Sequence, residues 1–368
     1  MGSDALRLRT AALRSAGSCL SPEEMGISLR RLLQFSAAKQ LWRNVNAVFP
    51  GLLLICLAPV ISAAEPPDAE PATVLVVVGA AGEDEFGKAF SESAARWEKA
   101  AGQAGAKVVT IGLAPPGHVP DRERLQQALA AAEKESGDLW LVLLGHGTFD
   151  GKEAKFNLRG PDFSATELAG WLKPLHRPVA VIDTASCSSP FIKAISGEGR
   201  IIITATRSGH EQNYTRLGQY LSESITDPQA DLDKDGQVSL LEAFLTASRK
   251  VGEFYQLEGR LATEHALVDD NGDGLGTPAD WFRGIRAVKK AKDGAALDGF
   301  RAQQFHLIRN STERSLPAAV RTQRDELELA VLKLREQKGQ MDEEEYYRTL
   351  EKLLLQLAQL YESNPVQK

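Results

Sequence analysis

The sequence predicts an α/β protein: a mostly parallel sheet with helices on both faces, followed by a helical C-terminal extension. Three observations predict it. Five short apolar runs rich in β-branched residues recur between positions 73 and 206, helical spacing with interleaved charges fills the intervals, and after Tyr214 the strand signal gives way to amphipathic helices.

The first run, 73–79, ends in Gly79-Ala80-Ala81-Gly82. That stretch lacks the Lys-Ser/Thr of a nucleotide loop and reads as a tight turn. Phe86, Phe90, Ala94 and Trp97 mark a helix over 86–101, stopped by Gly102 and Gly105. A second strand covers 107–112, a loop covers 115–120, and Asp121 caps a helix running to about Ser136. The third strand is 139–144. Ser164 and Glu167 form a capping box for a helix over 164–175. The fourth strand is 179–182, then a short helix covers 191–195 and the fifth strand 200–206. Leu217, Tyr220, Leu221 and Ile225 line a helix that Asp227-Pro228 stops, and 239–257 is a second amphipathic helix. Leucines at heptad-like spacing over 317–338 and 341–362, separated by Gly339, predict a helical hairpin or coiled coil. It packs on the domain or on a second copy, so self-association through these helices is an expectation.

The net charge of −6 gives no sign of a nucleic-acid surface. Arg30, Arg31, Lys39 and Arg43 precede an apolar run, 49–61, followed by Ser62-Ala63-Ala64. This is the pattern of a secretory signal cut after Ala64, with Met25 a more ordinary start than Met1. Pro50 and Pro59 interrupt the run, which is short for a membrane span, so membrane contact is expected only through an uncleaved signal. The expected divisions are a signal region 1–64, a linker 65–72, a domain 73–285, a linker 286–316 and the tail 317–368. Processing would remove Cys19 and Cys56, leaving Cys187 alone in an exported, periplasmic or extracellular protein. A lone cysteine there is a working thiol, an intermolecular pairing site or a buried small apolar residue.

The third and fourth strands end in chemistry. Leu144-Gly145-His146-Gly147 follows one, and Asp183-Thr184-Ala185-Ser186-Cys187-Ser188-Ser189 follows the other. In open α/β sheets the carboxyl ends of the strands carry the site, so His146 and Cys187 are expected at one edge. A thiolate beside an imidazole is the minimum for nucleophilic acyl transfer. These residues resemble the caspase and haemoglobinase clan of cysteine peptidases. Within it they look most like the legumain family, which includes the catalytic subunit of the GPI transamidase. The resemblance covers roughly 73–214 and implies a caspase-like fold acting on a peptide or protein substrate. It also implies that Cys187 attacks the scissile carbonyl, His146 serves the leaving group, and the N–H groups of Gly147 and Cys187 stabilise the oxyanion. Ser186 stands where that family commonly has Ala, and Ser188-Ser189-Pro190 replaces its usual acidic residue, which bears on substrate preference. Arg207, His210 and Glu211, after the fifth strand, are candidate specificity residues or a solvated loop. His265 reads as a helix-end residue. No G-x-S-x-G elbow supports a serine hydrolase.

A second motif spans 231–242. Asp231, Asp233 and Asp235 at alternate positions, Gly236 for the turn, Gln237 offering its carbonyl, Ser239, and Glu242 at position twelve match a calcium loop. Asp269, Asn271 and Asp273 repeat its first half over 269–280, where Asp280 replaces Glu; this loop binds weakly or is a structured acidic turn. Calcium is expected as a structural ion, with no organic cofactor. The alternative to a peptidase is a catalytically inactive caspase-like module for calcium-dependent binding or assembly.

Overall fold

The computed structural model describes residues 71–294 and 296–364. The expected signal region 1–64, with its expected cleavage position, Cys19 and Cys56, and positions 65–70 of the expected linker lie outside the described residues. The described residues of 71–232 and 236–364 form one compact unit. Among the described residues, no helix is long and apolar enough to cross a membrane.

Five strands build the parallel part of the sheet: β1 (Thr73–Val78), β2 (Lys107–Ile111), β3 (Leu139–Leu144), β7 (Val179–Asp183) and β8 (Arg200–Thr204). Between β3 and β7 the chain makes a small antiparallel sheet of β4 (Gly147–Phe149), β5 (Ala154–Phe156) and β6 (Phe163–Ser164). Past β8, β9 (Leu267–Asp269) and β10 (Thr277–Pro278) join the main sheet antiparallel, giving the order β10-β9-β8-β7-β3-β1-β2. A two-stranded ribbon, β11 (Phe282–Arg283) and β12 (Arg286–Ala287), follows.

Strand periodicity sorts the core into two layers. Val74, Val76, Val78, Trp140, Val142, Leu144, Ala180 and Ile182 face one side. There they meet α1 (Asp84–Ala104), α5 (Leu217–Ser224) and α6 (Leu240–Leu257). Leu75, Val77, Leu141, Leu143, Val179 and Val181 face the other. They pack on α2 (Asp121–Ala132), α3 (Ala165–Leu172) and α4 (Ser189–Ile195). Each fully buried Val, Leu, Ile or Phe contributes about 1.5–3 kcal/mol of transfer free energy, and α1 supplies Phe90, Ala94 and Trp97 at the spacing one face needs. Gly105, at φ 66, ends α1 by donating to the carbonyls of Ala101 and Gly102.

Two expectations are corrected. Asp121 does not cap its helix. Pro120 holds that position, and the Asp121 carboxylate instead accepts from Arg159 Nε at 2.8 Å. The stretch 286–316 is no linker. It carries β12, α7 (Phe300–Gln304) and α8 (Ser311–Ser315) and buries Phe305, His306 and Leu307. The Phe305 ring lies 4.7 Å from that of Trp140, and its carbonyl accepts from Leu240 N at 2.8 Å. Arg309 adds an ion pair to Asp138 at 2.6 Å. The tail is a hairpin of α9 (Ala318–Glu336) and α10 (Glu343–Ser363).

Candidate active site at the carboxyl edge of the sheet

Because β3, β7 and β8 are adjacent and parallel, the segments leaving their carboxyl ends share one edge. His146 stands two residues beyond β3. Its Nε2 lies 3.1 Å from the carbonyl oxygen of Ala81, in the turn after β1. A carbonyl only accepts, so Nε2 carries the hydrogen and Nδ1 keeps the lone pair in the neutral ring. Phe86 and Phe90 of α1 meet the imidazole edge-on at 5.0 and 5.2 Å between centroids, and Tyr214 closes from 6.1 Å. The turn 79–82 therefore has a role its side chains do not advertise: one backbone carbonyl orients the imidazole.

The next residue, Gly147, donates its N–H to Ser186 Oγ at 3.1 Å, and the Ser186 hydroxyl reaches the Gly147 carbonyl at 3.2 Å. A Cβ at 147 would stand 2.2 Å from the Ser186 carbonyl oxygen, so only glycine permits this approach. The turn holding Ser186 is pinned on both sides. Ser188 Oγ accepts from the N–H groups of Ala205 and Thr206, and Thr184 Oγ1 donates to the Leu143 carbonyl at 2.8 Å.

Cys187 takes a left-handed conformation, φ 58, and is 1 % exposed. Its N–H donates to the Glu211 carbonyl at 2.9 Å. Burial pushes the thiol above its ordinary pKa and the nearby Asp183 adds to this, against a smaller opposing effect of a hydrogen bond from Ser186. A reactive cysteine needs the reverse, an electropositive and accessible setting. The expected oxyanion pair meets two occupied hydrogen bonds, because the N–H of Gly147 is on Ser186 Oγ and that of Cys187 is on Glu211. Asp183 itself is fully buried. Desolvation pushes its carboxyl up to about 7 against one N–H from Ala185, and Oδ2 has no partner among the described residues.

Of the candidates after β8, Glu211 is the hub. It accepts from the Arg207 N–H at 3.0 Å, pairs with the Arg207 guanidinium at 3.4 Å and meets His265 Nδ1 at 2.6 Å. His265 is thus drawn to this edge instead of ending a helix, and it enters β9 two residues later. His210 is exposed, with its ring 5.3 Å from that of Phe149.

In the acidic loop, Asp231, Asp233 and Asp235 each bring a carboxylate oxygen within 4.8 Å of the others. Gly236 N–H donates to Asp231 Oδ2 at 3.2 Å and Asp235 N–H to Asp233 Oδ1 at 3.1 Å. Three hard oxygens at this spacing suit a calcium ion. Glu242 forms the capping box of α6 with Ser239 and accepts from Leu232 N–H, so its carboxylate would exchange those bonds for the metal. Gln237 offers its side chain to Asn310 N–H at 3.0 Å. The second loop is knit to itself. Asp269 accepts from Gly272 and Gly274, Asn271 from Asp273, and Asp273 from Leu275. Asp280 lies in a 3-10 turn beyond it.

These features define a class: an α/β protein with a seven-stranded, mostly parallel sheet and an oriented histidine beside a Ser-Cys turn at its carboxyl edge. No family model matches the chain, and no curated protein does. Among solved structures it is similar to the Drosophila initiator caspase Dronc, at 13 % identity and a TM-score of 0.38, over 62 % of this chain and 93 % of that one.

Proposed function

We propose that the chain is an exported hydrolase of the caspase and haemoglobinase type, cleaving peptide bonds at the carboxyl edge of its sheet and braced by calcium at 231–242. The observation that carries the reading is His146. An imidazole fixed by a carbonyl on Nε2 and boxed by aromatic rings keeps Nδ1 for proton transfer, as a general base requires. Arg207 and Glu211, beyond the end of β8, supply charges of both signs at the same sheet edge for substrate side chains. Cys187 would serve as nucleophile only after the turn 185–188 releases its thiol.

The test is hydrolysis of an internally quenched peptide library by the calcium-loaded protein, with His146→Gln as control. Cleavage that falls roughly 100-fold or more with His146→Gln supports the reading. No cleavage of any peptide by folded protein favours the second reading, an inactive binding module, which the commitment of the Gly147 and Cys187 N–H groups favours.

A further inference from the structure

Resting on the hydrolase reading, we propose that the contact between His265 and Glu211 is a latch that keeps the Cys187 turn closed, and that breaking it frees the thiol and the amide of Cys187 together. Two features of Cys187 define a resting state. Its side chain is 1 % exposed, and its N–H is spent on the Glu211 carbonyl at 2.9 Å. A nucleophilic thiol has to be reached by its substrate, and an oxyanion needs a donor with no other acceptor. Both requirements fail at one partner, Glu211.

Glu211 is itself held by local and by distant contacts. Its N–H donates to the Ser208 carbonyl at 3.2 Å, its carboxylate accepts from the Arg207 N–H at 3.0 Å, and the Arg207 guanidinium stands 3.4 Å away. These contacts close the turn 207–211 on itself. The distant contact is His265, 54 residues further along the chain, whose Nδ1 lies 2.6 Å from Glu211 Oε1. A carboxylate only accepts, so Nδ1 carries the hydrogen. His265 leads into β9, which pairs Leu267 with Thr204 at the end of β8, so the segment entering one strand runs beside the segment leaving the other. The residue before it is an anchor. Glu264 accepts from the N–H groups of Arg216 and Leu217 at 2.9 and 3.1 Å and from the Tyr255 hydroxyl at 3.2 Å. His265 is therefore presented to Glu211 from backbone fastened to α5 and α6.

Exposure separates the latch from what it guards. The His265 side chain is 34 % exposed and that of Glu211 15 %, so the contact is reached from solvent where the thiol is not. On its other side the turn is seated against Phe149, since a Cβ on Gly209 would stand 2.6 Å from that ring. The turn thus opens at its Glu211 end: with the carboxylate released from His265, the Glu211 carbonyl swings off the Cys187 N–H, and no covalent bond changes.

The experiment follows iodoacetamide alkylation of Cys187 by mass spectrometry in the full chain with calcium, for the unaltered protein, His265→Phe, Glu211→Leu and the double variant. His265→Phe keeps a ring and removes the donor, and Glu211→Leu keeps the backbone carbonyl and removes the carboxylate. Each single change should speed alkylation about 10-fold, the worth of one hydrogen bond to a charged group. The double variant should be no faster than Glu211→Leu alone, because both changes remove one contact. The urea stability of each variant gives the rate that global unfolding alone supplies. An unchanged rate, a rise no greater than global unfolding supplies, or effects that multiply in the double variant overturns the latch. Peptide cleavage is read on the same samples. Cleavage by the unaltered chain with alkylation indifferent to His265→Phe overturns the latch and leaves the hydrolase reading standing. Accelerated, non-multiplying alkylation with no cleavage by any variant upholds the latch and removes the hydrolase.

Discussion

The carbonyl oxygen of Ala81 and Nε2 of His146 lie 3.1 Å apart, joining the turn after β1 to the end of β3 across 65 residues. Two strands that are neighbours in the sheet thus fix one imidazole tautomer between them, and backbone geometry leaves Nδ1 as the nitrogen that would carry the proposed proton transfer. Replacing Phe90, whose ring lies 5.2 Å from the imidazole, by Leu removes the edge contact and keeps an apolar side chain. Hydrolysis should fall several-fold in kcat with KM held, as expected of a positioning residue. Loss through KM alone counts against it.

Gly147→Ala places a methyl group 2.2 Å from a backbone oxygen that cannot turn aside. Urea denaturation should show a loss of about 1–3 kcal/mol, the range for overpacking a close contact. A variant as stable as the parent would mean that the two turns separate freely.

The thiol of Cys187 is buried and its pKa is raised first by that burial. Iodoacetamide at neutral pH should modify the Cys187 peptide slowly in the folded chain and at the rate of an ordinary thiol in concentrated urea. Rapid folded-state modification would place the thiol at the surface.

Calcium should raise the melting temperature at millimolar concentrations, roughly the range of extracellular calcium modules. Asp233→Asn should reduce that increment and Asp273→Asn should not, because among the described residues it is the first loop that gathers three carboxylate oxygens within 4.8 Å of one another. A melting temperature indifferent to calcium removes the ion from the account.

Buried carboxyls set a pH dependence, Asp183 and Glu264 among them. Burial raises Asp183 to about 7 and Glu264 to about 7, the latter in spite of N–H groups from Arg216 and Leu217. Unfolded, both titrate near 4, so between about 4 and 7 the folded chain holds more protons than the unfolded one. Their contribution is complete below the unfolded values and is lost as the pH rises through about 7. Glu135, lowered to about 2 chiefly by its hydrogen bond from Lys107, has the opposite sign and changes only at lower pH. The urea midpoint should therefore fall from about pH 5 to about pH 8.5, and Glu264→Gln should flatten the decline. A rising midpoint would contradict both environments.

The buried strands were legible because a strand covered on both faces must be apolar at every position. The two capping boxes were legible because Ser164 with Glu167, and Ser239 with Glu242, stand at the helical spacing the hydrogen bonds need. The carboxyl edge followed from strand order. What stayed hidden was long-range or belonged to the backbone. Ala81 acts through a carbonyl that no residue type announces, and Glu211 finds His265 only because β9 folds back beside β8. Strands of two or three residues, such as β4 to β6, are too short to show a period. At 186–187 the cysteine carried the chemical reading, while the contact that Gly147 makes falls on its neighbour Ser186. Phe305 and Leu307 read as linker because two short helices around them carry little periodicity.

The last strand of the main sheet is two residues long and ends in Pro278. Proline has no N–H to offer, and so short a rim presents almost no ladder to an incoming chain. The sheet is therefore closed at its β10 margin against continuation into a second copy, and it meets the surrounding solution there as a finished boundary.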